Sequence, residues 1–371
     1  MQNFLAEITE KSIGVYLDTK EYLKRYFISY FPLKYTPFLS YEVLIGSKGI
    51  SAADIVSYNS SAPEKTRRVV DRLRGDIPAI RVKRIMDEVK LNEYNIVKAV
   101  AKNDADKQAL LDLCYDDIDF VIESVMQRCE WLALQALSQT VVSLTASNNA
   151  GIITEESIDF GLPTANKEFV GGAAANRCWL VANAATSLPI TDIITICSEA
   201  RKKGVIIKHI VMNLSKFVDF KASAEVKDFI YGIMISEAGI SPSVAPTLKV
   251  INQVLVESGM PDIQIINTVI DLEDSDHDIV SVDPWLDASD ADKYVTFIPE
   301  LPLGRFLHGP IAAETIKDPG IIQKKTGHIL VQSIAEQDPV QQKTVGLANC
   351  FISFDKINQV WSLNTESHTS W

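Results

Sequence analysis

The residue types that most often carry out chemistry are scattered through this sequence. The five histidines lie far apart in the chain, and none has a second ligand at the spacing of a metal-binding motif. The cysteines are odd in number, widely spread and never at CxxC spacing: Cys114, Cys129, Cys178, Cys197 and Cys350. This pattern is typical of free thiols in a reducing compartment, and it predicts neither a disulfide framework nor a zinc site.

Motifs for catalysis and nucleotide binding are also weak. The segment GGAAAN (171–176) is neither a Walker loop nor a GxGxxG motif, and it is typical of a flexible turn. The acidic run DLEDSDHD (271–278) lacks the glycine and the glutamate of an EF-hand loop, which favours a solvated loop. His209 lies in an apolar strand pattern, where a hydrogen-bonded core histidine is the favoured interpretation. We predict no catalytic residue, no metal and no cofactor, and thus a structural protein and not an enzyme.

One basic segment stands out in an acidic chain. Residues 61–90 hold nine Lys or Arg against five Asp or Glu, a balance of +4, whereas the whole chain has a formal net charge of −12. The segment is poor in large apolar side chains, and its arginines alternate with aspartates. Taken alone, it is compatible with a solvated hairpin. We refer to residues 61–90 as the basic excursion.

The charge distribution argues against a nucleic-acid-binding protein. Residues 1–100 hold 16 basic and 12 acidic groups, whereas residues 101–371 hold 20 and 36, a balance of −16. A nucleic-acid-binding domain needs a basic surface that neutralises several phosphates. We also predict no membrane span, because no run of 18 apolar residues occurs. The start MQNFLAEITEKSIG lacks the pattern of a signal peptide.

The clearest predicted element is a helix at 106–140. Apolar or aromatic residues recur at steps of four and three from Leu111 to Ala136. At 1.5 Å per residue such a helix is about 52 Å long. The stripe indicates either a dimeric coiled coil or a single strut packed against a sheet, and SNNAG (147–151) is the predicted end.

The rest of the chain predicts a mixture of helices and strands. Residues 1–40, rich in aromatics, predict a helix and an extended segment that packs on its own core or docks on a neighbouring subunit. Strands are predicted in 41–63, a helix from Ile80 onward and a strand pair in 151–167. Alternating helices and strands in 186–292 predict a compact α/β unit, and late strands return to the earlier sheet.

The order of these features resembles the capsid protein E family, the lambda-type major capsid proteins of tailed phages. The likeness covers roughly residues 30–364 and is carried by the basic excursion, the long helix, SIDFGLP (157–163), Trp179 and YVTFIPELPLG (294–304). The segment 164–185, rich in small residues, departs from the pattern.

The resemblance implies an α+β protein with the Hong Kong 97-type capsid fold. The implied parts are an N-terminal arm, an extended loop with flanking strands, a peripheral domain, an inserted α/β axial domain and a return to the peripheral domain. Their expected ranges are 1–44, 45–98, 99–185 with a spine helix at 106–140, 186–292 and 293–371.

The resemblance further implies a structural protein of the phage head. Copies would form the hexamers and pentamers of an icosahedral shell around the double-stranded DNA of a tailed phage or prophage, after synthesis in the host cytoplasm. A portal, a scaffold or protease, and a cementing protein are the implied partners. The basic excursion would be the extended loop that lies over a neighbouring subunit, where Arg67, Arg68, Arg72 and Arg74 would pair with carboxylates. The alternatives are an encapsulin-like compartment and a soluble α/β enzyme that uses 186–292.

Overall fold

A computed structural model gives the fold of the chain. It describes residues 9–19, 25–45, 71–100, 104–149, 156–170, 175–238, 246–273, 278–286, 291–316, 318 and 320–371. Two compact units are present: unit 1 comprises Met1–Tyr41, Arg74–Ala133 and Arg305–Ser353, and unit 2 comprises Glu42–Leu73, Leu134–Gly304 and Phe354–Trp371. Among the described helices, none is both long and apolar enough to cross a membrane.

The described ranges contain eight α-helices and seventeen β-strands. The helices are α1 Glu10–Thr19, α2 Tyr26–Tyr30, α3 Glu88–Val100, α4 Asp104–Gln139, α5 Pro189–Lys202, α6 Leu214–Ala222, α7 Ala224–Ala238 and α8 Leu248–Glu257. The strands are β1 Leu33–Tyr35, β2 Ser40–Ile45, β3 Asp71–Asp76, β4 Ala79–Asp87, β5 Val141–Leu144, β6 Glu156–Asp159, β7 Lys167–Phe169, β8 His209–Asn213, β9 Asp262–Ile266, β10 Ile270–Glu273, β11 Ile279–Val282, β12 Tyr294–Ile298, β13 Arg305–His308, β14 Ile321–Thr326, β15 Ile329–Gln337, β16 Val340–Ser353 and β17 Trp361–Asn364.

Unit 1 is built on a six-stranded sheet with the order β1-β13-β16-β15-β14, in which β4 also pairs with β16. Strand β16 is the longest in this sheet, and it pairs antiparallel with β13, β15 and β4. The pairing with β4 extends over nine residues, from Ala79 opposite Asn349 to Asp87 opposite Gln341. This long ladder holds residues 79–87, in the second half of the basic excursion, in the sheet of unit 1.

The helix predicted from Ile80 onward begins later than the sequence pattern indicated. Residues 79–87 form β4, and α3 begins only at Glu88. Exposure alternates along β4, where Met86 is buried between exposed neighbours. The alternation of Ile80, Val82 and Met86 has the period of a strand, and pairing with β16 stabilises the extended conformation.

The long predicted helix is confirmed as α4, but it ends at Gln139, before SNNAG. Thr140 adopts a φ of 58°, in the left-handed region, and the β-branched Val141 and Val142 then enter β5. The sequence predicted a strand pair within 151–167. Strand β6 lies in that segment, but it pairs with β5, which lies before the segment. All residues from Cys129 to Ser138 are buried by the chain itself, which excludes a coiled-coil seam over this stretch.

Unit 2 contains a five-stranded sheet with the order β7-β17-β12-β8-β9 and the helices α5 to α8. Its core includes Trp179, Phe297 and Trp361, none of which is exposed. Helix α5 is followed by Gly204 and α8 by Gly259, both at positive φ, where glycine is the favoured residue. Helices α5 to α8 and strands β8 to β11 lie within 186–292, where the sequence predicted alternating helices and strands.

Candidate functional site

The four arginines predicted to contact another subunit are only partly described. Arg67 and Arg68 lie outside the described residues. Arg72 and Arg74 lie on β3, which pairs with β2 in a two-stranded sheet. The two strands therefore flank residues 46–70 in the chain. The ion pairing of the four arginines stays a prediction.

The end of β3 is anchored to the body of unit 1. The Ile77 backbone N–H donates to the Leu39 carbonyl at 2.7 Å, and the Ile77 side chain is buried. Pro78 follows, and β4 then begins its nine-residue ladder with β16. Backbone hydrogen bonds and the buried Ile77 thus hold residues 77–87, the later part of the basic excursion, in unit 1.

Arg84, also part of the basic excursion, is paired within its own subunit. Its Nη1 lies 2.7 Å from Asp116 Oδ2, and its Nε lies 3.2 Å from Asp117 Oδ1. The guanidinium also stacks 4.7 Å from the centre of the Phe120 ring. Burial raises the pKa of Asp117, although Arg84 acts in the opposite direction. This arginine therefore links β4 to α4 and is not available to a neighbouring chain.

The N-terminal aromatic segment packs on unit 1, through a buried carboxylate. Glu130 on α4 is 1% exposed, and it accepts hydrogen bonds from the backbone N–H groups of Tyr26 at 2.8 Å and Phe27 at 2.9 Å. Burial raises the pKa of Glu130, and these two bonds and Arg25 partly oppose the rise. Arg25 itself forms an ion pair with Glu123. The carboxylate therefore satisfies the first N–H groups of α2, which have no partner within the helix.

Aromatic packing supports the same attachment. Phe27, Tyr30 and Phe31 are buried, and the Phe27 ring centroid lies 5.0 Å from that of Phe306. Strand β1 then adds to the sheet, parallel to β13. Of the two interpretations of the aromatic segment, packing on its own core applies to residues 26–31, whereas the side chains of β1 are exposed although its backbone joins the sheet.

Large apolar side chains are nevertheless exposed on unit 1, and two groups of them are considered as contact surfaces. Phe38 is 69% exposed and Leu39 47%, just after the segment that packs on the core. On α3, Val89 is 65% exposed, Ile96 64% and Val97 40%. Residues seven and eight apart lie on the same helix face. One face of α3 therefore exposes these three apolar side chains, with the exposed Asn92 and Glu93 between them, and we refer to it as the open apolar face of α3.

Unit 2 contains a buried lysine surrounded by acidic groups. Lys216 is not exposed, and its Nζ lies 2.8 Å from Glu366 Oε1, 3.0 Å from Asp219 Oδ2 and 3.2 Å from Asp292 Oδ1. Its Nζ also donates to the Trp179 carbonyl at 3.3 Å. Burial lowers the pKa of Lys216, but the three carboxylates together raise it above its ordinary value. The lysine therefore stays charged, and it fastens the C-terminal segment to α6 and to the segment before β12.

A third buried cluster, in unit 1, was missed by the sequence analysis. Cys129 Sγ lies 3.6 Å from Cys350 Sγ and 3.8 Å from His328 Nε2, and all three side chains are buried. Burial raises the pKa of the Cys129 thiol well above its usual range, and the contact with Cys350 raises it further. The three residues are 199 and 221 positions apart in the sequence, so no local spacing could indicate the cluster.

His209 is hydrogen-bonded, as its strand pattern predicted, but its side chain is half-buried and not in the core. Its Nδ1 lies 2.6 Å from Asp262 Oδ1, and the two residues are opposite each other in the parallel pair β8 and β9. The acidic run at 271–278 is described only in part, because residues 274–277 lie outside the described ranges. Residues 171–174 of GGAAAN also lie outside them.

Comparison with known structures shows the fold. The chain resembles the crystal structure of a prophage protein from Escherichia coli CFT073 that is described as a capsid protein, with 12% identity, 96% of this chain and 99% of that chain covered, and a TM-score of 0.55. It also resembles a phage-related protein from Bordetella bronchiseptica RB50, with 8% identity, 99% of both chains covered and a TM-score of 0.54. The fold is therefore that of the Hong Kong 97-type capsid proteins.

Sequence comparison gives the family. No curated protein sequence matches this chain. The family model described as phage major capsid protein E matches residues 22–268, which is about two thirds of the chain. This range includes residues 22–40 of the N-terminal aromatic segment, the basic excursion, α4 and most of the α/β pattern. The chain therefore belongs to the phage major capsid protein E family.

Proposed function

We propose that this structural capsid protein forms the hexamers and pentamers of an icosahedral head shell, and that the shell encloses the double-stranded DNA of a tailed phage or prophage. The observation that carries the proposal is the match of the capsid family model to residues 22–268. The protein acts by assembly and not by catalysis. It is made in the host cytoplasm and ends in the virion, where a portal, a scaffold or protease, and a cementing protein are its partners.

The proposed domain scheme follows that of the resemblance. Residues 1–44 are the arm, 45–98 the extended loop with its flanking strands, 99–185 the peripheral domain, 186–292 the axial domain and 293–371 the return to the peripheral domain. The location of α4 within 99–185 supports this scheme, as does the run of α5 to α8 with β8 and β9 within 186–292.

The basic excursion is the proposed connection between subunits. Its later part is held by the β2–β3 pair and the β4–β16 ladder, so its earlier part can contact another chain while the subunit keeps its fold. A segment that packs on another chain needs few apolar residues of its own. Arg67, Arg68, Arg72 and Arg74 then bind carboxylates of the neighbour, for which the planar guanidinium is well suited.

The open apolar face of α3 is the second proposed contact. Val89, Ile96 and Val97 would be buried when subunits associate, which stabilises association by about 25 cal/mol per Å² of apolar surface removed from water. Apolar contact supplies affinity, whereas the charged excursion supplies register and selectivity for the correct neighbour.

Electron microscopy of the purified protein tests the shell directly. The expected result is closed particles, and light scattering that shows only monomer or dimer over a range of salt and crowding conditions would contradict the proposal.

The excursion is tested by reversing Arg67, Arg68, Arg72 and Arg74 to Glu together. Because like charges placed across an interface cost several kcal/mol, assembly should be lost while the circular dichroism spectrum of the subunit is unchanged.

A matched variant separates charge from geometry. Replacing the same four arginines by Lys keeps the net charge but removes the planar fork, so assembly should be weakened less than by reversal. Normal assembly of the Glu variant would show that these arginines are not in an interface. Loss of the subunit fold in the Glu variant would show that they serve the subunit itself.

A further inference from the structure

The buried Cys129, His328 and Cys350 come from three different elements of unit 1. Cys129 lies in α4, Cys350 lies in β16, and His328 lies in the turn that joins β14 to β15. None of the three side chains is more than 4% exposed. Their ligand atoms all lie within 4.8 Å of one another. Two thiols and an imidazole therefore meet at one point inside the unit.

The spacing of these atoms matches that of ligands on one tetrahedral ion. With Zn–S of about 2.3 Å and Zn–N of about 2.0–2.1 Å, two thiolates on one zinc are about 3.8 Å apart, and a thiolate and an imidazole nitrogen are about 3.5 Å apart. The observed separations are 3.6 Å between the sulfurs and 3.8 Å between Cys129 Sγ and His328 Nε2. An ion can therefore bind Cys129 together with either partner after only small shifts of the side chains, and the ligand atoms of Cys350 and His328 lie within 4.8 Å of each other.

A second observation lies beside the cluster. His308 is directly opposite Cys350 in the β13–β16 register, and its ring centroid is 6.2 Å from that of His328. The Nδ1 of His308 is buried and, among the described residues, has no hydrogen-bond partner. A buried nitrogen of this kind is destabilising unless it binds water or an ion, so an unsatisfied polar atom of the half-buried His308 lies next to the three residues.

We infer that Cys129, His328 and Cys350 bind one zinc ion in each subunit. Soft thiolates with an imidazole are the ligands that favour zinc among the divalent ions that prefer nitrogen and sulfur. The ion joins α4 to β16 and to the β14–β15 turn, and so it stabilises unit 1. Because the site is buried, zinc enters while the unit folds.

Metal analysis of the refolded chain tests the inference. The protein is unfolded with a chelator present, refolded with Zn²⁺ and freed of excess metal, and its zinc content is measured by mass spectrometry. One zinc per chain is expected, with a higher melting temperature than that of protein refolded without metal. A chain that holds no zinc after this treatment would overturn the inference.

Variants locate the ion. Cys129→Ala, His328→Gln and Cys350→Ala should each lower zinc affinity by more than the roughly 10- to 100-fold that loss of an outer-shell partner produces. The matched control is Cys197→Ala, a partly buried thiol on α5, which should keep full affinity. Equal zinc affinity in all four variants would overturn the inference.

A measurement on the wild-type protein tests the inference even if the variants do not fold. Refolding with Co²⁺ in place of Zn²⁺ should produce the charge-transfer absorption of a thiolate bound to cobalt. Absence of this absorption, or a thiol titration that finds Cys129 and Cys350 joined as a disulfide, would show that the residues are core thiols only. These readouts concern the subunit, so they do not depend on whether it assembles.

Discussion

Glu130 in unit 1 and Lys216 in unit 2 are both buried charges, but they are satisfied in different ways. Glu130 accepts two backbone N–H groups at the start of α2. Lys216 is surrounded by three side-chain carboxylates and a carbonyl. The first charge completes the hydrogen bonding of a helix end, whereas the second neutralises acidic groups from distant parts of the chain. Removal of either should therefore leave different groups without a partner.

The largest effect is expected for Lys216→Met. This change keeps the length of the side chain but leaves Asp219, Asp292 and Glu366 close together without a cation. Breaking a buried ion pair from one side costs about 3–5 kcal/mol, and we expect about 3 because water reaches the carboxylates in part. Urea unfolding of the unassembled subunit measures the loss. The control Lys202→Met, on an exposed surface of α5, should stay within about ±0.5 kcal/mol.

A smaller effect is expected for Glu130→Gln. The amide offers one oxygen where the carboxylate offered two, so either Tyr26 or Phe27 loses the acceptor of its N–H. An unsatisfied buried donor costs about 1–3 kcal/mol. Trypsin cleavage after Arg25 should become faster, because the segment is held less firmly. The exposed Glu93→Gln should cleave like the wild type, and an equal rate in Glu130→Gln would show that this carboxylate does not hold the segment.

The two sites should respond to acid in opposite directions. The pKa of Asp292 is lowered, because Lys216 and its hydrogen bonds outweigh the effect of burial. The ionised Asp292 therefore stabilises the folded state at a pH above the ordinary pKa of about 4, and this stabilisation is lost as the pH falls through the lowered pKa. The pKa of Glu130 is raised by burial, so the folded state takes up this proton first, and its contribution grows as the pH falls toward about 4.

Two variants separate these contributions. The free energy of unfolding is measured from neutral to acidic pH for the wild type, Asp292→Asn and Glu130→Gln. The difference between wild type and Asp292→Asn should shrink as the pH falls, whereas the difference between wild type and Glu130→Gln should widen. If both differences in the free energy of unfolding changed with pH in the same direction, the environments of Asp292 and Glu130 would not differ as their contacts indicate.

Features carried by local sequence could be predicted, and features made by distant residues could not. The apolar steps of four and three predicted α4, because that period belongs to the helix itself. The spacing of Ile85, Met86 and Val89 predicts a helix where β4 lies. The strand forms instead because it pairs with β16, which is more than 250 residues away in the sequence.

The buried clusters show the same limit. Lys216 and Asp219 are a local pair that the sequence contains, but Glu366 is 150 positions away. Cys129 and Cys350 are 221 positions apart, so the absence of CxxC spacing could not exclude their meeting. The order of features along the chain was nevertheless enough to predict the family and the fold, because it reflects the topology and not single contacts.

The smallest effect is expected for Arg84→Met, which tests whether burial sets the size of these effects. Arg84, like Lys216, contacts more than one carboxylate, but its own side chain is 39% exposed; the side chain of Asp116 is 63% exposed and that of Asp117 is 13% exposed. Exposed ion pairs contribute about 0–1 kcal/mol because water already solvates both charges, so we expect a loss below about 1 kcal/mol in the same urea unfolding. Arg81→Met, an exposed arginine on the same strand, is the matched control for removing a positive charge from β4. A loss at Arg84 as large as that at Lys216 would mean that the number of carboxylate partners, and not their removal from water, determines how much a charge stabilises this protein.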